Sequence, residues 1–333
     1  MKIFVTNLPS FYKINLYNKI CKQTEIFVIY TGQDSNGRNT DFFSGKMNFP
    51  HFFLKGNSLV KSFQLFRFLK QNPYQEIIVG GWDSVIMWIT VFLFPKSYNS
   101  IVVESTIKES GVSGLKAIFK RVFLQRISKA YVSGKSHEQL VRTLGFDGVS
   151  VITKGVGLFN IIPQPSYQPR SEVKHFLFVG RLVAVKNLTF LIEKFNSYPE
   201  LSLTIVGFGV LDEELKSIAN SNIHFVGAID NKLLPKYYQE AEVFVLPSYS
   251  ETWGVVVEEA LNNGTPVLLS NQVGCIDEVI NEGNGVIFSL QPDNFEEKLC
   301  MIRNVDFYNN LRKNISKIDY KSIEQYQVSC YCE

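Results

Sequence analysis

Short runs of β-branched and aromatic residues alternate along the chain with longer segments whose apolar positions recur every three to four residues. That alternation is what parallel α/β layers produce. In the first half the runs predict strands at Ile3–Thr6, Ile26–Tyr30, Glu76–Val79, Ser100–Val103, Ala130–Val132 and Val149–Ile152, with helices among them at Leu59–Lys70 and Ser113–Ser128. Between Ile162 and Arg170 the periodicity stops, and Pro163, Pro165 and Pro169 favour an extended linker. A second series follows, with strands at Phe176–Val179, Leu203–Val206, His224–Val226, Val243–Leu246, Pro266–Leu269 and Gly285–Phe288. Its helices are expected at Leu188–Asn196, Leu211–Asn220 and Gly254–Asn262. The chain therefore reads as a Rossmann-like domain over residues 1–160, a linker over 161–170 and a second Rossmann-like domain over 171–312. The C-terminal segment 313–333 is expected to pack back on the first domain. Ligands of such sheets bind beyond the carboxyl ends of the strands, so the strand-to-helix turns are where chemistry is to be sought.

The length of 333 residues suits two domains, each with its own core. With 45% apolar residues, 27 Phe and 15 Tyr, disorder is excluded as the main state. The most apolar stretch, Val85 to Phe94, is ten residues long, half of what a bilayer span needs, and is expected as a buried helix. The N-terminal MKIFVTNLPSFYK has no signal-peptide core and reads as a first strand, so secretion is not expected. Five scattered cysteines without a CxxC pair fit neither a disulfide framework nor a zinc cage. They are expected as ordinary residues in a reducing cytoplasm, Cys275 included, although it sits beside a loop glycine. A net charge of +3 hides a division, because residues 1–160 carry +11 and residues 161–333 carry −8. Such asymmetry calls for an anionic partner of the first half, either nucleic acid or an anionic membrane surface.

Two turns of the second half carry candidate chemistry. The strand ending at Val179 runs through Gly180, Arg181 and Leu182 to Lys186 and Asn187, with Asn187 expected to cap the helix that follows. Two cations at a strand's end, together with the amides and dipole of a helix N-terminus, make a diphosphate site. By itself this turn fits a solvated loop equally well. The strand ending at Leu246 enters Pro247-Ser248-Tyr249-Ser250-Glu251-Thr252-Trp253-Gly254 and then a helix bearing Glu258 and Glu259, which Gly264 closes. Carboxylates accept paired hydrogen bonds from vicinal hydroxyls, as sugars and riboses offer, and the amides of Thr252 to Val255 face an anion. Glu258 is rotated about 100° from Glu259 on a helix, so the two cannot share a role.

PSYSETWGVVVEEALNNGTPV resembles the E-x-F-G-x-x-x-x-E-A-x-x-x-G-x-P-V block of family-4 retaining glycosyltransferases. Glu251 and Glu259 fall on its two glutamates, and Trp253 stands where Phe is usual. VGRLVAVKN is similar to that family's G-R-L-x-x-x-K-G segment, and LTIVGFGVLDEEL, HFVG and Val273-Gly274-Cys275 followed by Asp277-Glu278 match in order and spacing. In the first half, TNLPSFYK and VGGWDS resemble polysaccharide and O-antigen assembly members. The resemblance implies a GT-B fold, two Rossmann-like domains facing each other across a cleft. It implies transfer of a sugar from a nucleotide-sugar donor to a glycan or lipid-linked acceptor, with retention at the anomeric carbon, no metal and no other cofactor. Arg181 and Lys186 would hold the donor diphosphate with the Thr252, Trp253, Gly254 and Val255 amides. Glu259 would take the ribose hydroxyls and Glu251 would contact the transferred sugar, so that Glu251, Arg181 and Lys186 form the catalytic set.

The chain departs from the family at three places. Where a histidine often follows a strand of the first domain, the turn reads Val103-Glu104-Ser105-Thr106, which leaves Glu104 as a candidate replacement. The glycine-rich first loop is replaced by Leu8-Pro9-Ser10-Phe11, and N-G-V-D near the linker by Lys154-Gly155-Val156-Gly157. His137, in KSHEQL, is expected on a helix surface. No D-x-D pair, G-x-x-x-x-G-K-[ST], H-E-x-x-H or G-x-S-x-G element is present. Gly207-Phe208-Gly209 gives a dinucleotide-dependent oxidoreductase only partial support, since Asp212 stands in place of the third glycine. A non-catalytic sugar-binding or scaffold protein of the same fold is the other alternative.

The segment Ser113–Lys129 carries Lys116, Lys120, Arg121, Arg126 and Lys129 and no acid, with Leu115, Ile118, Phe119 and Val122 at helical spacing. One reading packs the apolar stripe on the protein's own sheet. The other lays the helix on an anionic bilayer, where about 1 kcal/mol per basic residue would hold it reversibly. Both fit a cytoplasmic protein, peripheral on the inner face of the membrane. Nucleic acid is not expected, because base-stacking and groove-reading motifs are lacking.

Overall fold

The strands are apolar at nearly every position rather than at alternate ones, so both faces of each sheet have to be covered. The computed structural model, which describes residues 1–32 and 40–333, meets that requirement with two parallel sheets layered by helices. Among the described residues the first unit takes 1–32, Phe42–Leu158 and Lys321–Glu333, and the second takes 40–41 and Phe159–Tyr320.

The first unit builds β1 (Lys2–Thr6), α1 (Phe11–Ile20), β2 (Ile26–Tyr30), β3 (His51–Phe53), α2 (Ser58–Gln71), β4 (Glu76–Val79) and α3 (Val85–Leu93). It continues with β5 (Asn99–Val103), α4 (Gly114–Leu124), β6 (Lys129–Val132), α5 (Lys135–Thr143) and β7 (Val149–Ile152). The strand order is β3-β2-β1-β4-β5-β6-β7. Residues from α2 to α5, among them Leu65, Met87, Phe123 and Leu140, bury one face against Ile3, Val5, Ile77 and Ile101. On the other face, Ile14, Tyr17 and Ile20 of α1 join Val328 and Tyr331 against Phe4, Val28 and Tyr131. β3 is absent from the sequence expectation because three residues at a sheet edge are too short to show a period.

Three further expectations are corrected in this unit. His137 is fully buried on α5, since the turn of helix that carries it also carries Leu140 and Val141 into the core. The Val85–Phe94 stretch is not buried throughout: Ile86, Met87 and Val91 face inward while Val85, Phe92 and Leu93 are exposed. The apolar stripe of the Ser113–Lys129 segment does not pack on the sheet. Ala117, Phe123 and Leu124 form the buried side of α4, and Leu115, Ile118, Phe119 and Val122 all lie on its exposed side.

The second unit builds β8 (His175–Val179), α6 (Leu188–Asn196), β9 (Ser202–Val206), α7 (Asp212–Ile218), β10 (Ile223–Gly227) and α8 (Leu234–Glu240). β11 (Val243–Leu246), α9 (Val255–Asn262), β12 (Val267–Ser270), α10 (Ile276–Val279), β13 (Gly285–Phe288), α11 (Pro292–Arg303) and α12 (Val305–Ile315) complete it. The strand order is β10-β9-β8-β11-β12-β13. The proline segment runs along this unit without helix or strand. Its Ile162 exchanges hydrogen bonds with the Asn262 side chain, and Arg170 does the same with Asn309. The last helix, α13 (Tyr320–Ser329), belongs to the first unit from Lys321 onward. There the Tyr326 hydroxyl donates to the Ile152 carbonyl at 3.0 Å, and the Tyr331 ring stacks on Tyr131.

Candidate functional site

In the second sheet the chain moves outward from β8 to β9 and β10, then returns to pair β11 with the other side of β8. The order reverses between β8 and β11, and ligands of open α/β sheets bind at such a switch point, outside the carboxyl ends of the strands. The two turns singled out in the sequence leave these two strands.

The turn after β8 carries Arg181, whose side chain is exposed, and closes in a 3₁₀ turn at Ala184–Lys186. The turn after β11 carries Glu251 and enters α9 through Gly254, which sits at φ 97°, a left-handed conformation suited to glycine. Two bonds zip the turns together: the Tyr249 amide donates to the Val185 carbonyl at 2.9 Å, and the Asn187 side chain donates to the Pro247 carbonyl at 3.1 Å. Asn187 is therefore no side-chain cap of α6, as the sequence had suggested. Its backbone is left-handed at φ 56°, and its amide group reaches across to the neighbouring turn instead.

Zipping the turns brings the Lys186 ammonium onto the Glu251 carboxylate as a largely buried ion pair. Glu259, on the second turn of α9, accepts a hydrogen bond at 3.0 Å from the hydroxyl of Tyr238 on α8. Burial pushes the Glu259 carboxyl up to about 7, with the Tyr238 bond opposing the rise. Glu258 points elsewhere, as the helical rotation requires. It is buried, accepts at 2.8 Å from the indole N–H of Trp253, and is raised by burial to about 8. The Trp253 ring is 1% exposed, so only its backbone can meet a ligand. Thr252 is exposed beside it, and Gly254 and Val255 open the first turn of α9, where the Val257 amide donates back to the Gly254 carbonyl at 2.8 Å.

The third wall comes from β9 and β12. A Cβ on Gly207 would lie 1.8 Å from the Gly180 carbonyl oxygen, and one on Gly209 would lie 2.3 Å from that of Leu182. The Gly-Phe-Gly segment thus serves backbone packing against the Arg181 turn and is not a dinucleotide fingerprint. Gly274 is fixed in the same way, its amide donating to the Glu251 carbonyl at 2.9 Å. Cys275 is fully buried, with its thiol raised well above the usual value by burial. Its place is the core, in line with the ordinary reading.

Sequence reasoning missed Tyr238. It lies in LPKYYQE, where no spacing marks one tyrosine of the pair over the other, and only the packing of α8 beside α9 selects it. In the first unit, Glu104 follows β5 and pairs with Lys13 of α1 at 2.8 Å. The pair lines a small cavity with Thr6, Tyr17, Gly80 and Tyr331 at the ends of β1 and β4, where that sheet's own order reverses. Burial acts to lower the Lys13 ammonium, but Glu104 and the tyrosines beside it hold it above the ordinary lysine value.

Residues 164–321 match the family described as "Glycosyl transferases group 1". The chain is 29% identical over 327 residues to the O-antigen biosynthesis glycosyltransferase WbnH of Escherichia coli, covering 94% of this chain and 91% of that protein. Among solved structures it resembles the sucrose-phosphate synthase of Thermosynechococcus elongatus, with TM-score 0.78 and 17% identity over 99% of this chain and 98% of that one. It also resembles HepE of Anabaena in complex with UDP and glucose, with TM-score 0.71 and 13% identity over 98% and 97% of the two chains. These likenesses, at such identities, fix the two-domain glycosyltransferase fold.

Proposed function

We propose, from the glycosyl transferases group 1 domain that residues 164–321 form, that this chain moves a sugar from a nucleotide-sugar donor to a lipid-linked glycan acceptor in cell-surface polysaccharide synthesis. The observation that carries this reading is the Lys186–Glu251 ion pair that joins the turns after β8 and β11 at the switch point of one sheet, with Arg181 on the first of these turns and Glu259 on the helix that follows the second. The donor diphosphate lies against Arg181, Lys186 and the first amides of α9, and Glu259 accepts from the ribose hydroxyls. A uridine nucleotide is the first choice, because HepE binds UDP on the same fold.

In this reading Glu251 changes partner during the reaction cycle. In the structure it holds Lys186. The incoming diphosphate competes for that ammonium, and Glu251 is released toward the sugar hydroxyls. As the anomeric C–O bond to phosphate breaks, negative charge grows on the leaving diphosphate, where Arg181, Lys186 and the helix amides stabilise it. The acceptor hydroxyl bonds to the anomeric carbon on the face the phosphate leaves, and its proton passes to a departing phosphate oxygen. The configuration is retained, and the charge is met by side chains without a metal ion. The first unit binds the acceptor and, through α4, the anionic cytoplasmic face of the membrane.

The test is to screen UDP- and other nucleotide-sugars for saturation-transfer signals, then follow transfer to lipid-linked acceptors by NMR of the product's anomeric proton. An unchanged anomeric configuration and full activity in EDTA are expected. Inversion, or a strict metal requirement, refutes the mechanism while leaving the transferase assignment standing. Absence of nucleotide binding refutes both.

A further inference from the structure

We propose that Glu258 is a positioning residue of the donor site, which acts through its hydrogen bond to Trp253 to hold the Glu251 turn in its working shape. The inference rests on the transfer reading above, in which Glu251 meets the sugar, and it gives a task to a buried acid that the mechanism leaves unused. Gly254 is the N-cap residue of α9, so Trp253 stands one residue before the cap and Glu258 at the fourth position of the helix. In many helices an apolar pair at these two positions fixes the angle at which the chain enters. In this chain the pair is hydrogen-bonded. The indole N–H of Trp253 donates to Oε2 of Glu258 at 2.8 Å, and the two residues are 1% and 4% exposed.

A hydrogen bond has a direction that an apolar contact lacks, and burial away from water strengthens it. It therefore fixes the indole's rotation as well as its depth. The phenylalanine usual at this place in the family carries no N–H, so the bond belongs to this chain's own pairing of Trp253 with Glu258. The backbone around the indole is pinned as well. The Cys275 amide donates to the Trp253 carbonyl at 3.1 Å, and the Gly274 amide to the Glu251 carbonyl at 2.9 Å. A Cβ on Gly274 would meet the Thr252 carbonyl oxygen at 1.9 Å, so the two segments touch backbone to backbone.

Glu251 stands two residues before Trp253, and its carboxylate is held on Lys186. The turn thus has an ion pair at its start, backbone bonds along it and the indole bond at its end. Without the Glu258 acceptor a buried N–H loses its partner, which is costly. The indole then has to turn toward another acceptor, and so short a segment carries Glu251 with it. Arg181 and Lys186 ride on the other turn, after β8, so contacts to the diphosphate should outlast the change. The loss belongs in turnover and not in nucleotide affinity.

The experiment compares Glu258→Leu, Glu258→Gln and the pair Trp253→Phe with Glu258→Leu, assayed where urea curves show each variant fully folded. Glu258→Leu should lower kcat by about tenfold. Its Kd for UDP should stay within about twofold of wild type. Glu258→Gln keeps an oxygen acceptor for the indole and should restore most of the rate. The apolar pair removes donor and acceptor together, so its urea midpoint should return close to wild type while kcat stays low. Normal turnover by folded Glu258→Leu overturns the proposal, as does a rate that returns with stability in the apolar pair; either leaves the bond a structural role alone. An equal loss in Glu258→Gln and Glu258→Leu overturns it too, because the acceptor would then not be what matters. A second measurement needs no substrate. The indole N–H resonance of Trp253, identified by its loss in Trp253→Phe, should shift in Glu258→Leu while those of Trp82 and Trp88 stay. An unmoved indole overturns the bond itself. A shifted indole in a protein that transfers no sugar refutes the transferase reading, and the positioning role with it.

Discussion

The Lys186–Glu251 pair makes the two partners' substitutions differ in sign. On the proposed mechanism Arg181→Ala and Lys186→Ala each remove a charge-assisted contact to the leaving group, and each should lower kcat/KM by about a hundredfold, with weaker binding of the free nucleoside diphosphate. Glu251→Gln leaves Lys186 without its carboxylate, so the diphosphate should bind as well as before or more tightly while turnover falls. Titration calorimetry beside steady-state rates separates the two, and a parallel loss in both would place Glu251 outside the sugar contact. Glu259 adds a pH dependence. To accept from both ribose hydroxyls, the role proposed for it, it must be ionised, and its carboxyl is raised to about 7. Donor binding should weaken as pH falls below about 7. Tyr238→Phe removes the bond that opposes the rise, so the midpoint should move to higher pH, whereas Glu259→Gln should bind weakly and without a midpoint.

At the scale of elements, the site depends on three glycines that let turns touch backbone to backbone. Gly209→Ala would set a Cβ 2.3 Å from the Leu182 carbonyl oxygen, a contact with no flexible side chain to yield. The turn bearing Arg181 must move, and a loss of about 1–3 kcal/mol in urea unfolding is expected, together with weaker nucleotide binding. Gly111→Ala, where nothing lies within 4 Å, is the control and should be neutral. Most strands and the helices α2 to α4, α6, α7 and α9 were largely legible because repeated apolar spacing records which side is buried; β8, α6, β11 and α9 follow from it within a residue or so, whereas α1, α11 and α12 were not anticipated. The failures are residues whose partner is distant in sequence. Asn187 looked like a cap because caps are local, yet its partner Pro247 is 60 residues away. His137 looked like a surface residue because its neighbours in sequence are polar, yet the helix turns it into the core.

For the whole molecule, a buried acid couples stability to pH. Glu258 is raised from the usual 4.5 to about 8, chiefly by burial and further by Glu259, against the opposing bond from Trp253. The folded form therefore holds this proton more tightly than the unfolded chain does. The stability it contributes is fully present below about pH 4.5 and is lost as pH rises through about 8. Unfolding of the second unit by urea should show that decline, and Glu258→Gln should reduce it to the part contributed by Glu259, which is itself raised to about 7. A profile unchanged by the substitution would mean that Glu258 is ionised inside the protein.

By itself the sequence determined that two parallel α/β layers form, where their strands lie, and which two turns bear the cations and carboxylates. Those properties live in periodicity and in short spacings along the chain. Tertiary structure decided what depends on which elements become neighbours. It chose Tyr238 as the partner of Glu259, joined Lys186 to Glu251 and turned the apolar side of α4 outward. An amphipathic helix shows that one side is apolar, but not which side the rest of the protein has already filled. On α4 that place is taken by Ala117, Phe123 and Leu124, because only they meet the sheet layer.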